Sequence, residues 1–158
     1  MLYSLLSEWR KNMIQQSERA QLFNRGESGS KGTIVVIDDH DSTLDLMREV
    51  LTRLGYTPLL AERGAEGLEL CRSNDVDLVL TDYLMPEMSG LEVAEKIKAL
   101  PNPLPVILTS ASYQNLDDDL HLKGVDYFLN KPFRLEDLES IIDEALHPKL
   151  SGPEVGIR

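Results

Sequence analysis

The sequence predicts an α/β fold, a doubly wound sheet of five parallel strands preceded by one separate helix. Three observations carry this. Short β-rich apolar runs at 34–37, 78–80 and 106–108 have no polar interruption, as expected of strands covered on both faces. Between them apolar residues fall at helical spacing, with stops at Gly55 and before Pro101. The alternation of short strands and amphipathic helices is that of repeated βα units, which build an open sheet wound on both sides.

The elements follow in order. Leu2, Leu6, Trp9, Met13, Gln16, Ala20 and Phe23 recur at alternating steps of four and three, which predicts an amphipathic helix over 1–24 with one apolar seam, broken only by Gln16. Such a seam serves either self-association or docking on the helix's own domain, and we expect a homodimer. Residues 25–32 are rich in Gly and Ser and lack apolar side chains, so they read as a flexible linker. The domain proper is expected over 33–147 and a tail over 148–158. Weaker strand signals at 57–60 and 125–129 complete the five. Helices are expected along Leu44, Met47, Val50, Leu51 and Leu54, and over 64–73, 91–100, 113–123 and 135–146.

Composition narrows the function. The 158 residues carry 27 acids against 16 bases, a net charge of −11. The first 31 residues hold +2 of this, so the body is strongly acidic and unsuited to direct DNA binding, which needs a basic face. The single cysteine forms no internal disulfide, no apolar run is long enough to span a membrane, and no signal peptide opens the chain. A cytoplasmic location fits best.

In open α/β sheets ligands sit beyond the carboxyl ends of the strands. Here those ends carry Asp38-Asp39, Asp82 and Thr109-Ser110, and Lys131-Pro132 follows the last strand. Three converging carboxylates repel one another unless a cation sits among them. Oxygen ligands suit Mg²⁺, while Lys131 and the Thr109 hydroxyl are fit to hold phosphoryl oxygens.

These residues stand in a specific order. It comprises the pair Asp38-Asp39, the segment Asp82-Tyr83-Leu84-Met85-Pro86-Glu87-Met88-Ser89-Gly90, Thr109 with small Ser110 and Ala111 after it, and Gly124 to Phe133 containing Lys131-Pro132. Over 33–147 the chain resembles the receiver domain of two-component response regulators. That resemblance implies a flavodoxin-like sheet of order 2-1-3-4-5. It implies Asp82 as phosphoacceptor, and Asp38, Asp39, Asp82 and the backbone carbonyl of Leu84 as the Mg²⁺ site, Asp38 acting mainly through bound water. It further implies Lys131, beside a cis bond to Pro132, as the phosphoryl partner, and Thr109 and Phe128 as the switch pair. The expected partners are a sensor histidine kinase or a histidine phosphotransfer protein, and a downstream protein meeting the face formed by 113–123, 125–129 and 135–146. The activity implied is Mg²⁺-dependent self-phosphorylation and self-dephosphorylation, not substrate turnover. Leu84 and Ala111 stand where polar side chains often align the hydrolytic water, and neither offers a side-chain hydrogen bond, so the phosphorylated form should decay slowly.

A rival exists. The run from Val35 to Leu44 also resembles the nucleophile loop of haloacid-dehalogenase-type phosphatases, with Asp39 as nucleophile and Asp41 as general acid. That reading leaves Asp82 and Met85-Pro86 unexplained and lacks a later acidic motif. Of the remaining candidates, His40, His121 and His147 show no mutual metal-ligand spacing and read as surface residues. Cys71 reads as packing, and Asp117-Asp118-Asp119 as a solvated helix start.

Overall fold

The computed structural model describes residues 2–23, 29–111, 123–148 and 156–157, with side chains over 7–18, 29–111 and 123–148. The elements are α1 (Leu2–Phe23), β1 (Thr33–Ile37), α2 (Asp41–Leu54), β2 (Thr57–Ala61), α3 (Gly64–Ser73), β3 (Leu78–Asp82), α4 (Gly90–Lys98), β4 (Val106–Ser110), β5 (Tyr127–Asn130), α5 (Leu135–Leu146) and β6 (Gly156–Ile157). The strands pair in parallel in the order β2-β1-β3-β4-β5-β6. The first five reproduce the order 2-1-3-4-5. The sixth is a two-residue addition to the β5 edge, within the segment expected to be tail.

The helices begin and end where the local chemistry dictates. Gly55 closes α2 in the left-handed region at φ 95°, its N–H donating to Leu51 O and Thr52 O. Ser89 opens α4 with a capping box: its hydroxyl accepts from Glu92 N, and the Glu92 carboxylate accepts from Ser89 N. The helix expected over 113–123 lies almost wholly outside the described residues, as do His121 and Asp117-Asp118-Asp119.

Two apolar layers sandwich the sheet. On one face Ile34, Val36, Leu78 and Leu80 pack against α2 and α5. On the other Val35, Ile37, Val79, Leu108 and Phe128 pack against α3 and α4. The alternation along each strand sends neighbours to opposite layers. The structure gives the α1 seam a use other than the expected homodimer: Met13 is buried within the first layer, with Trp9 and Ile14 against it. Burying Met13 contributes about 2 kcal/mol by apolar area, an arrangement that stabilises docking of α1 on its own domain. The expected linker is also shorter at its described end. Lys31 N donates to Gly55 O at 2.8 Å and Thr57 N donates to Gly32 O at 2.8 Å, which ties residues 31 and 32 to the domain.

Candidate functional site

Topology assembles the site before any side chain is considered. The chain direction of the winding reverses at β1, which lies between β2 and β3, so a crevice opens beyond the carboxyl ends of β1 and β3. Ile37 is in register with Thr81, which sets Asp38 beside Asp82 one residue further on. Asp82 is itself in register with Thr109, and Ser110 with Asn130, so Lys131 emerges at the same edge. Two loop bonds finish the frame: Tyr83 N donates to Thr109 O, and Lys131 N to Ser110 O, both at 2.8 Å.

The side chains meet around Lys131. Its Nζ donates to Asp38 Oδ2 at 2.7 Å and to Asp82 Oδ1 at 3.0 Å. Asp38 is 1% exposed, and its other oxygen accepts from His40 N at 2.9 Å and lies 3.1 Å from His40 Nδ1. Burial pushes the Asp82 carboxyl up from its ordinary value; the Lys131 charge opposes this, and Asp38 and Asp39 add to it. For Lys131 burial acts downward, but the attraction of Asp38 and Asp82 outweighs it and the pKa is raised. The ammonium is therefore firmly charged, and it is the cation that lets two buried carboxylates face each other.

A hard divalent ion fits the same acids. Carboxylate oxygens of Asp38 and Asp39 and a ring nitrogen of His40 lie within 4.8 Å of one another. Asp39 Oδ1 is buried and receives no hydrogen bond, although His40 Nδ1 is 3.1 Å away. A buried carboxylate oxygen left without a donor is costly unless a cation meets it. This donor set is consistent with Mg²⁺, with oxygen ligands predominating.

Each predicted site residue has a definite place. Thr109 is buried, its hydroxyl donating to Thr81 O at 3.3 Å. Phe128 is fully buried in the α3/α4 layer, whereas Tyr127 faces the other way and donates its hydroxyl to Glu144 O at 3.1 Å. The Lys131–Pro132 bond is cis. Leu84 is the residue set apart, its side chain 68% exposed in the β3–α4 loop. Ala111 is exposed as well. Asp41, the general acid of the rival reading, is exposed in the first turn of α2.

Two residues do more in the structure than their spacing in the sequence suggests. His40, expected as a plain surface residue, has an exposed ring whose Nδ1 nonetheless lies against both Asp38 and Asp39. Its signal was adjacency to the acidic pair, not spacing to another histidine. Trp9, expected in a dimer seam, donates its indole N–H to Phe133 O of its own chain, two residues after Lys131. The break in the seam at Gln16 was the signal, because Gln16 Oε1 accepts from Leu135 N at 3.3 Å. Cys71 is half-buried, its thiol pushed up to about 11 by burial despite Arg72, which fits packing. His147 is exposed beside Asp143.

A family model described as the response regulator receiver domain matches residues 34–143. The chain belongs to that family. Among relatives of the receiver domain, a cyclic di-GMP phosphodiesterase of Thermotoga maritima is 36% identical over 122 residues, 75% of this chain and 32% of its own length. The transcriptional regulatory protein ZraR of Klebsiella oxytoca is 35% identical over 128 residues, 78% of this chain and 28% of its own. The chain thus spans about a third or less of these relatives. Among solved structures, the response regulator TrrA of Thermotoga maritima in complex with Mg²⁺-BeF superposes with TM-score 0.67 at 32% identity, covering 73% of this chain and 99% of that one. A receiver domain from Clostridium thermocellum gives TM-score 0.67 at 30% identity, covering 73% and 94%. Among the described residues no helix is long and apolar enough to cross a membrane.

Proposed function

We propose that this chain is a phosphorylation-activated signalling switch that takes a phosphoryl group onto Asp82 from the phosphohistidine of a histidine kinase or phosphotransfer protein. The observation that carries this reading is the single ammonium of Lys131, held within hydrogen-bond reach of Asp38 and Asp82 at the edge where β1 and β3 part. A carboxylate attacks a phosphoryl group poorly because both are anionic, so positive charge must already stand at the point of approach. In the transfer, Asp82 oxygen bonds to phosphorus, the phosphorus–nitrogen bond breaks, and the imidazole leaves with the electron pair and takes a proton from water. Mg²⁺, held by Asp38, Asp39, Asp82 and the Leu84 carbonyl, supplies further charge neutralisation when bound. Lys131 pairs with the arriving phosphoryl oxygens in place of Asp82.

The output follows from Thr109 and Phe128. Thr109 exchanges its bond to the Thr81 carbonyl for one to a phosphoryl oxygen. The side chain of Phe128 responds to the space released, and the β5 and α5 surface, with residues 113–123, carries the change to a downstream protein in the cytoplasm. A homodimer through α1 then requires two copies to exchange that helix, since Trp9 and Met13 are already engaged.

The experiment is direct. With acetyl phosphate and Mg²⁺ the chain should gain one acid-stable, base-labile phosphoryl group, and Asp82→Asn none, because an amide does not accept it by this route. Equal labelling of the variant overturns the reading.

A further inference from the structure

We infer that Trp9 and Gln16, on the amino-terminal helix, are positioning residues for Lys131. The inference rests on the phosphoryl-accepting role of Asp82 and adds to it a remote pair that sets how well the site works.

Lys131 stands in a loop of four residues between Asn130, the end of β5, and Leu135, the start of α5. Among the described residues, two long-range side-chain bonds reach the backbone of this segment, and both come from α1. Trp9 Nε1 donates to Phe133 O, and Gln16 Oε1 accepts from Leu135 N. The Trp9 ring also meets the Phe133 ring edge-on, with centroids 5.1 Å apart and planes at 84°. Phe133 itself is buried.

A clamp works only if it is mounted on something else. Here α1 is fixed to α2 by Arg53, whose Nη1 donates to Ile14 O at 3.2 Å and to Ser17 Oγ at 3.1 Å. Ser17 and Met13 are buried at that contact. Arg53 stands in the last turn of α2 and the acids just before its first, so α1 joins the far end of the helix that follows Asp38-Asp39-His40 to the segment that carries the ammonium. Losing either α1 bond frees the backbone two to four residues from Lys131. A displacement of about 1 Å at a reacting group is enough to cost a large factor in rate.

The test uses the full chain and three variants. Trp9→Phe keeps a ring but removes the N–H; Gln16→Leu removes the acceptor; Gln16→Glu restores one. The readouts are the initial rate of Asp82 labelling by acetyl phosphate at saturating Mg²⁺, the affinity for Mg²⁺ alone by calorimetry, and the melting temperature. Trp9→Phe and Gln16→Leu should each slow labelling roughly three- to tenfold, the worth of one hydrogen bond, without weakening Mg²⁺ binding. Gln16→Glu should label at close to the wild-type rate. Wild-type rates in Trp9→Phe and Gln16→Leu overturn the inference. So does a loss that Gln16→Glu shares, or one that tracks an equal loss of Mg²⁺ affinity and melting temperature, since either means general loosening. Failure of the wild type to label on Asp82 overturns the phosphoryl reading and the inference with it, whereas a labelled wild type with indifferent variants removes the inference alone.

Discussion

The two loops that meet at the site are secured by different means. The β3–α4 loop, which follows Asp82, is joined to β4 by the Tyr83–Thr109 bond, and its other described hydrogen bonds are local. Gly90 N donates to Tyr83 O at 3.0 Å, Ser89 and Glu92 form the capping box, and a Cβ at position 90 would stand 2.2 Å from Asp82 O. The β5–α5 loop, which carries Lys131, draws on residues 119 and 124 positions away in sequence. Asp82 thus sits beside a turn whose hydrogen bonds are mostly local, and Lys131 beside one that also draws on side chains of a helix remote in sequence.

That difference sets the ways to probe the site, beginning with the cation. Lys131→Ala leaves Asp38 buried opposite Asp82 with no ammonium between them. Without metal we expect a loss of stability on the order of 3 kcal/mol, and with acetyl phosphate a fall in labelling of about 100-fold, as for removal of a preorganised charge donor. Denaturant titrations with and without Mg²⁺ check this, because the ion should restore part of the stability. Absence of any restoration would show that the acids do not share a cation site.

A smaller effect is expected at the β3–α4 loop. Gly90→Ala forces the new methyl against the Asp82 carbonyl and Leu108 Cδ1, 2.7 Å away. Overpacking of this kind costs about 1–3 kcal/mol, measured by the same titrations, and should slow labelling because the clash lies on the backbone of Asp82, the proposed phosphoacceptor. A neutral substitution would mean that this loop, too, is held from elsewhere.

The smallest effect concerns Glu92. Hydrogen bonds from the Ser89 backbone and side chain hold its carboxyl below the usual glutamate range. A depressed folded-state pKa gives stability that is complete above the ordinary glutamate value and is lost as pH falls through the lowered one. The gap in melting temperature between wild type and Glu92→Gln should therefore close on acidification. A gap independent of pH would leave the charge without a role in the cap.

The same contrast explains what the amino-acid sequence discloses. Residue spacing and turn chemistry are local, and they were sufficient for the five strands, for the stop at Gly55, and for the order of Asp38, Asp39, Asp82, Thr109 and Lys131 along the strand ends. They do not tell what a helix packs against. A seam at steps of four and three looks alike whether it meets a second copy or its own domain, so the contacts of Trp9 and Gln16 with the β5–α5 segment are not legible in it. The contact of His40 with both acids depends on the backbone turn into α2. The pairing of Gly156–Ile157 with β5 depends on where a remote edge is free, and no pattern within the tail encodes it.

The proposed switch puts the covalent phosphate on β3 and not on the β1 pair. It is tested most directly by peptide mapping of the wild-type chain after treatment with acetyl phosphate and Mg²⁺. One phosphoryl group should be found, on the peptide that contains Asp82. Phosphate on the peptide that contains Asp39, with steady turnover of small phosphate esters, would contradict it.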